Sequence, residues 1–394
     1  MDRRAIVVGA GIGGLTAAAA LGQQGWTVRV FERAPALEQV GAGLAVAPNA
    51  LRVLDLLGAG EAVRDLAAFQ GDGGIRGHEG RWLAKTSAAA FERQLGLPLV
   101  IARRSDLVEI LHSLLPAGAL TLDTAVQSVT AGDAERRARV TTESETLDAD
   151  LVVCADGIRS LGRRTLHPAH PGPTYSGCTS WRLILPDTVT IEPAETWGPG
   201  AVFGLMPLTR GEHYLYAMAY AQAGEHADDE AEHLRQRFAG WHAPIPQLLE
   251  SARAEHVLRN DVYDLPAPMS AFHSGRVALL GDAAHAMTPN MGQGACQAIE
   301  DAAVLAYHVA TGDRMPDALA AYTAARRPRT AAIVKRSRRL LQLSHRSSRP
   351  AVLARNLAFA AAGLLTADMT VRAVFSVAGW QPPQQTAPRP TVRR

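Results

Sequence analysis

The sequence contains few residues that would supply cross-links, metal ligands or a membrane anchor. Its three cysteines, Cys154, Cys178 and Cys296, are an odd and widely spaced set, which argues against a disulfide framework and against a zinc site. The most apolar late stretch, residues 356–369, is broken by Asp368 and is too short to cross a bilayer. We therefore expect a cytoplasmic protein with no metal and no stable membrane insertion.

Strong charge of either sign is also missing, and no N-terminal targeting segment is expected. The formal net charge is +2, so nothing in the overall charge indicates a nucleic-acid partner. A predicted strand begins almost at the first residue, which argues against a secretion signal. With 47% hydrophobic and 20% charged residues, the composition is that of a soluble globular enzyme, and 394 residues suit two domains or one domain with a large insertion.

The first chemical motif is a glycine-rich turn at the N-terminus. An apolar strand over residues 5–8 leads into Gly9, Gly11 and Gly14, spaced as GxGxxG, and an alanine-rich helix follows. This spacing permits a tight turn and close approach of a pyrophosphate to the helix N-terminus. A second predicted strand ends in Glu32, whose carboxylate is placed to accept both hydroxyls of an adenosine ribose. The context predicts a dinucleotide site, and Glu32 disfavours a 2′-phosphate even though Arg33 follows it.

Two later segments carry further motifs after predicted strands. Residues 154–164 read CADGIRSLGRR and contain the Asp156-Gly157 pair. Residues 281–301 read GDAAHAMTPNMGQGACQAIED, in which Asp282 ends a strand, Pro289 forces a turn and a Gly-Gln-Gly triplet opens a helix. The N-terminus of such a helix favours negative charge beside it.

The order GxGxxG, DG, GD resembles the class A flavoprotein aromatic monooxygenases, the para-hydroxybenzoate-hydroxylase type. Residues 40–58 resemble the family stretch beside the flavin, and Arg104 resembles an arginine on the ribityl side, with Arg103 as the alternative register. The resemblance implies FAD as cofactor and NAD(P)H as a transient co-substrate. It also implies a flavin site formed by the following residues: Gly9, Gly11, Gly13, Gly14, Glu32, Arg33, Gly43, Arg104, Asp156, Asp282, Pro289, Gly292, Gly294 and Ala295.

Residues 171–267 change to alternating, aromatic-rich runs that predict antiparallel strands. Together with residues 73–97 they are expected to form a substrate domain inserted into a Rossmann-like FAD-binding domain made of 1–72, 98–170 and 268–340. Residues 341–394 are expected to be a C-terminal helical segment and a proline-rich tail. The candidate substrate-binding residues are Trp181, Trp197, Phe203, Leu205 and Pro289. A base that deprotonates a phenol is not identified, and Arg182, His213, Tyr214 and Tyr216 are the weak candidates.

Two charged segments receive structural interpretations. Residues 225–233, with two histidines and five acids, are expected to be an acidic first helical turn capped by Asp228. Residues 326–349 contain nine Lys or Arg and are expected to be a solvated helix face over an apolar underside.

The resemblance implies that NAD(P)H reduces FAD and that dioxygen then gives a C4a-hydroperoxyflavin, which hydroxylates an aromatic or heteroaromatic small molecule. An epoxidase or another oxygenase on the same scaffold stays open, as do a non-catalytic flavin- or ligand-binding protein and a reductase that never uses oxygen. A flavin halogenase is disfavoured because the chain has two lysines, Lys85 and Lys335, and lacks the Trp-x-Trp motif. The oligomeric state is expected to be monomer or homodimer.

Overall fold

The computed structural model describes residues 3–37, 42–68, 73–312, 314–362 and 376–383. Over these residues the predicted α/β architecture is confirmed, with a mainly parallel Rossmann-like sheet, a second, mainly antiparallel sheet and C-terminal helices. No helix in the described part of the chain combines the length and the apolar character needed to cross a membrane.

The strands, in chain order, are β1 Arg4–Val8, β2 Thr27–Phe31, β3 Gly43–Val46, β4 Gly73–Gly77, β5 Trp82–Thr86, β6 Val100–Arg103, β7 Leu120–Thr121, β8 Ser128–Thr130, β9 Ala138–Thr141, β10 Thr146–Ala149, β11 Leu151–Cys154, β12 Thr174–Pro186, β13 Ala194–Gly198, β14 Ala201–Leu208, β15 Glu212–Tyr220, β16 Leu258–Asp264, β17 His273–Ser274 and β18 Val277–Leu279. The helices are α1 Ile12–Gln23, α2 Pro48–Leu56, α3 Gly60–Arg64, α4 Ala88–Leu95, α5 Arg104–Ser113, α6 Leu161–Leu166, α7 Glu230–Phe238, α8 Ile245–Glu250, α9 Asp282–His285, α10 Gly294–Thr311, α11 Met315–Ser344 and α12 Arg349–Ala362. Short 3-10 turns lie at Ala254–His256, Pro289–Met291 and Ser376–Gly379.

A six-stranded sheet in the order β17-β18-β11-β1-β2-β7 forms the first layer, and all its neighbouring strands are parallel except β17 and β18. Its central strands β1 and β11 are almost entirely apolar and buried, as expected for a parallel sheet covered on both faces. Helix α1 packs on this sheet, and α10 packs on α1. In parallel sheets ligands bind at the carboxyl ends of the strands, and the three predicted motifs all follow such ends, those of β1, β11 and β18.

A seven-stranded sheet in the order β16-β12-β15-β14-β13-β4-β5 forms the second layer. It takes its strands from residues 73–86 and 174–264, and its neighbours are antiparallel except β13 and β4. Because side chains alternate along a strand, this sheet has two distinct faces. One face packs on α7 and α8 in a second apolar core, and the other turns toward the first layer.

Two expectations about charged helices are corrected. The cap of α7 is Asp229, whose carboxylate accepts the N–H groups of Ala231 and Glu232, and Asp228 precedes it. On α11, Arg326 is not solvated, because it is 1% exposed and lies among buried carboxylates. The rest of the 326–349 segment follows the expected pattern only in part, since Ile333 and Leu341 are buried but Leu343 is exposed. Most of the predicted proline-rich tail lies outside the described residues.

Candidate active site

The glycine-rich turn joins β1 to α1 with very close backbone packing. A Cβ on Gly14 would lie 1.9 Å from the carbonyl oxygen of Gly9, whereas a Cβ on Gly11 would meet nothing within 4 Å. Gly9 has a φ of +101°, a value that other residues rarely adopt. No side chain caps α1 at Gly11, so the first N–H groups of the helix are open to an anion.

Glu32 lies directly after β2, at the same edge of the sheet. One of its carboxylate oxygens accepts the N–H of Ala10 at 2.8 Å and the other accepts the N–H of Ala34 at 3.0 Å. These bonds hold the carboxylate beside the glycine turn, while the neighbouring Arg33 side chain is exposed. The arrangement is what a ribose next to a pyrophosphate requires.

The DG segment is tied to the GD segment through a buried arginine. Asp156 accepts the N–H of Gly162 through Oδ2 at 3.1 Å, and its Oδ1 is buried without a partner among the described residues. Arg163, 2% exposed, donates to the carbonyl oxygen of Ala283 at 3.1 Å. The two segments therefore keep a fixed relation to each other, and one oxygen of Asp156 stays available.

Asp282 follows β18 and its side chain is exposed at the edge of the sheet. Although solvent reaches this side chain, the protein atoms around the carboxyl desolvate it in part and raise its pKa, and the nearby charges of His285, Arg104 and Arg163 oppose the rise. Arg104 is thus near Asp282, whereas Arg103 forms an ion pair with Glu212 of β15. Of the two registers considered for the arginine, the structure places Arg104 on the GD side.

After Asp282 the chain forms the 3-10 turn at Pro289 and then the N-terminus of α10. Gly292 has a φ of +60°, and its N–H is taken by the carbonyl oxygen of Pro289 at 2.8 Å. The first N–H groups of α10, at Gly294 and Ala295, have no acceptor within the helix. A Cβ built on Gly294 would meet nothing within 4 Å, so there is open space beside this helix start.

Strand β3 links this helix N-terminus to the second sheet. A Cβ on Gly292 would lie 3.4 Å from the Cβ of Ala45, and a Cβ on Gly43 would lie 2.4 Å from the ring of Tyr214. The absence of a side chain at Gly43 is therefore required for Tyr214 to approach. This contact identifies the face of the seven-stranded sheet that looks toward the flavin segments.

That face carries three of the weak catalytic candidates. Arg182 and Tyr216 are partners across β12 and β15, and Tyr214 lies diagonally from Arg182. Tyr216 donates its hydroxyl to Oε2 of Glu195 at 2.6 Å. Burial raises the pKa of Glu195, and hydrogen bonds from Tyr216 and Trp197 oppose the rise. Burial also raises the pKa of Tyr214 to about 12, against the charge of Arg182, so this phenol stays protonated.

Three of the five expected substrate-binding residues lie on the opposite face of the sheet, which is a correction. Trp181, Phe203 and Leu205 belong to the apolar core between the sheet and helices α7 and α8. Trp197 shares the face of Tyr216 but is 1% exposed and packs edge-on against Phe359 of α12. Period-2 alternation predicts two faces without saying which one covers the first layer.

His213, the fourth weak catalytic candidate, is also separated from the site. It is 3% exposed, and its Nε2 lies 2.8 Å from the carbonyl oxygen of Val189 and 2.9 Å from Asp187. As the neighbour of Tyr214 on a strand, it points to the opposite face. Pro289 is exposed beside the helix N-terminus, where the sequence placed it.

Sequence reasoning missed a buried polar network beneath the GD segment. Asp301 accepts the N–H of Gly281 at 2.9 Å and contacts His285 Nε2 at 2.6 Å, and its other oxygen pairs with Arg326 at 2.5 Å. Burial raises the pKa of Asp301, but the charges of His285 and Arg326 lower it below its ordinary value. Glu300, also buried, pairs with Arg326 and accepts from Asn49 at 2.6 Å. The only sequence signal was the adjacent pair of acids in an otherwise apolar helix.

Two acids of the segment at residues 225–233 bind neighbouring side chains. Glu230 accepts from the indole of Trp181 at 2.7 Å, and Glu232 pairs with Arg235. Within the residues that the structure describes, no group of histidine, cysteine and carboxylate side chains is arranged to hold a metal ion.

Fold and site together define a flavin-dependent oxidoreductase: a glycine turn and acid for the adenosine half, and a carboxylate and helix N-terminus for the flavin half. The comparisons agree. A family model described as "FAD binding domain" matches residues 2–337. The chain belongs to this family, the class A flavoprotein monooxygenases, and FAD is its cofactor.

Relatives cover nearly the same length of chain. Aurachin C monooxygenase/isomerase from Stigmatella aurantiaca is 39% identical over 343 residues, which are 86% of this chain and 88% of the relative. The 3-amino-4-hydroxybenzoate 2-monooxygenase from Streptomyces cremeus is 35% identical over 87% of this chain and 88% of the relative. Among solved structures, Klebsiella pneumoniae HpxO complexed with FAD and uric acid matches with a TM-score of 0.87 and 26% identity, covering 95% of this chain and 96% of HpxO. The chain is an FAD-dependent monooxygenase of aromatic or heteroaromatic compounds.

Proposed function

We propose that the substrate is a nitrogen-bearing aromatic or heteroaromatic ring with an acidic oxygen, and that Arg182 holds this oxygen over the flavin. The observation that carries the proposal is a buried donor of Arg182. Its Nε is buried and has no partner among the described residues, while its Nη2 donates to Asn260 at 2.6 Å. An unmet guanidinium N–H costs free energy unless an acceptor occupies the site.

The two tyrosines on the same face, Tyr214 and Tyr216, differ in the hydrogen bonds that their hydroxyl groups make. Tyr216 is committed as a donor to Glu195, so its oxygen lone pairs are left to accept from a substrate N–H or O–H. The hydroxyl of Tyr214 has no protein partner within the described chain, and its high pKa keeps it a donor. Arg182 and Tyr214 together suit a phenolate or enolate oxygen, and Tyr216 suits a ring nitrogen that carries hydrogen.

The names of the relatives are consistent with this choice. The relative from Streptomyces cremeus acts on 3-amino-4-hydroxybenzoate, and the HpxO structure holds uric acid. Both molecules combine ring or amino nitrogen with acidic oxygen, and both are electron-rich rings. We extend that chemistry, and neither compound in particular, to this chain.

The roles of the cofactor residues are part of the same proposal. Gly9, Gly11, Gly13 and Gly14 admit the pyrophosphate, Glu32 binds the ribose and Arg33 flanks it. Asp156, Asp282 and Arg104 hold the ribityl side, and Gly43, Pro289, Gly292, Gly294 and Ala295 border the ring. When bound, FAD supplies the activation of dioxygen, and the protein supplies position and a dry cavity. The seven-stranded sheet is proposed as the substrate domain, with residues 73–97 and 171–267.

The test compares binding of three compounds to wild type and Arg182→Met. 3-Amino-4-hydroxybenzoate, urate and a 4-quinolone would be titrated against the oxidised flavoprotein, following the flavin absorbance. At least one acidic ligand should bind, and the variant should bind it about 10- to 100-fold more weakly, as expected for loss of a charge-assisted bond. Arg253→Met, which removes an exposed arginine, is the matched control. Equal affinity in wild type and Arg182→Met would contradict the proposal.

A further inference from the structure

A second concave site lies behind the GD segment, apart from the sheet face described above. It is a groove of about 480 Å³ between α11 and residues 265–272. Its floor is apolar and includes Leu265, Met269, Phe272 and Val334. This volume falls in the range of sites that bind small molecules.

The wall contributed by α11 is strongly basic. Arg327, Lys335, Arg338 and Arg339 line the groove along one side of the helix. Arg338 is neutralised by Asp264, at 3.0 Å, and Arg327 donates to the carbonyl oxygen of Ser270. Among the described residues, Lys335 and Arg339 have no ion-pair or hydrogen-bond partner, and both are exposed. The groove therefore offers uncompensated positive charge beside an apolar floor.

A buried histidine also contributes to the lining of the groove. His285 is 4% exposed and lines it, and its Nδ1 is buried without a partner within the described residues. Its Nε2 is held by Asp301 at 2.6 Å. A ligand here would offer an anionic group to Lys335 and Arg339 and an apolar surface to the floor.

The position of the groove connects it to the flavin. Ala284 and His285 line it, and they belong to the same short helix, α9, as Asp282. The wall at residues 265–272 contacts the loop that follows α6 and the DG segment, because His170 Nε2 lies 3.0 Å from the carbonyl oxygen of Ala267. The sequence has a single GxGxxG, so the reducing nucleotide has no second Rossmann domain.

We infer that this groove binds the phosphate-bearing part of NAD(P)H, with Lys335 and Arg339 as the phosphate contacts. The inference rests on the proposed function, because it assigns a place to the reductant of that reaction. Lysine and arginine are the side chains that bind phosphate most strongly, and an exposed pair of this kind makes binding sensitive to salt.

The test is the double variant Lys335→Gln with Arg339→Gln in the FAD-loaded full chain. The apparent Kd of NADPH and of NADH would be measured from the concentration dependence of anaerobic flavin reduction, with and without substrate. We expect the double variant to weaken NADPH binding about tenfold or more. Arg336→Gln is the matched control, since Arg336 sits on the same helix and donates to Ser376 at 2.9 Å, away from the groove.

A bypass experiment, in which the flavin is reduced chemically and not by NAD(P)H, distinguishes a failure of this inference from a failure of the proposed function. The flavin would be reduced with dithionite, freed of excess reductant and mixed with oxygen and substrate. The double variant should then give the same product yield as wild type, because its defect lies in nucleotide binding. A Kd for NADPH within twofold of wild type would overturn the inference, as would a loss of FAD or of bypass yield equal to the loss of NADPH-driven rate. If the substrate assignment alone is wrong, the reduction measurement without substrate still reports the nucleotide site.

Discussion

Removing the buried arginine beneath the GD segment should destabilise the protein and its flavin site together. In Arg326→Met, Asp301 loses a partner at 2.5 Å and Glu300 loses one at 2.5 Å, and both acids are fully buried. Glu300 keeps an ion pair with Arg329 at 2.7 Å, whereas Asp301 keeps only His285, and removing one partner of a buried ion pair costs about 3–5 kcal/mol. With an unfolding entropy of about 2.1 cal/mol/K per residue, a chain of 394 residues should lose about 4–6 °C in melting temperature.

The same variant should retain less FAD, because Asp301 positions Gly281 and His285 of the GD segment. Melting followed by intrinsic fluorescence and the ratio of flavin to protein absorbance measure the two effects. Arg327→Met, which removes an exposed arginine one residue away, is the control for loss of charge. A fall in melting temperature of less than about 1 °C, or a fall equal to that of Arg327→Met, would refute the reasoning about uncompensated buried charge.

Three further changes test other parts of the structure. Glu32→Gln should weaken FAD binding about 10- to 100-fold, measured by titration of the apoprotein, because the amide lacks the charge that strengthens bonds to ribose hydroxyls. Gly14→Ala should abolish FAD binding, since its Cβ would lie 1.9 Å from the Gly9 oxygen, whereas Gly22→Ala on the same helix, with open space around it, should bind FAD normally in the same titration. Burial lowers the pKa of His345 to about 4 from 6.5, so neutral His345 stabilises the fold above pH 6.5 and that stability is lost as pH falls toward 4. Urea titrations would give the difference in unfolding free energy between wild type and His345→Gln at each pH. This difference should narrow by about 2–3 kcal/mol from pH 7.5 to pH 4.5, and a constant difference would contradict this assignment.

The flavin half of the site could be predicted from local sequence. Each motif there combines a strand, a turn and a helix N-terminus within about fifteen residues, and the chemistry depends on backbone geometry that glycine spacing reveals. Gly14 and Glu32 are where the motif places them, and the turn at Pro289 leads directly into α10. The spacing between each strand and the acidic residue after it was sufficient for this prediction, because the contacts within each motif join nearby parts of the chain.

The substrate half could not be predicted in the same way. Trp181 and Arg182 are adjacent on β12, and hydrophobicity favoured Trp181 as a wall residue. Helices α7 and α8 bury Trp181, and the polar Arg182 is left on the face near the flavin segments. Which face of a sheet is covered depends on helices distant in sequence. Arg326 escaped prediction for a related reason, since its partners on α10 are contributed by a separate helix.

The most direct test of the monooxygenase account is the mass of the product formed with isotopically labelled dioxygen. The FAD-loaded protein would be supplied with NAD(P)H and whichever acidic nitrogen-bearing ring binds in the titrations. The account predicts a product heavier than the substrate by one labelled oxygen atom, bonded to a ring carbon as a hydroxyl. Substrate turnover with no label in the product, or NAD(P)H oxidation that is the same with and without every bound ring compound and yields only peroxide, would contradict it.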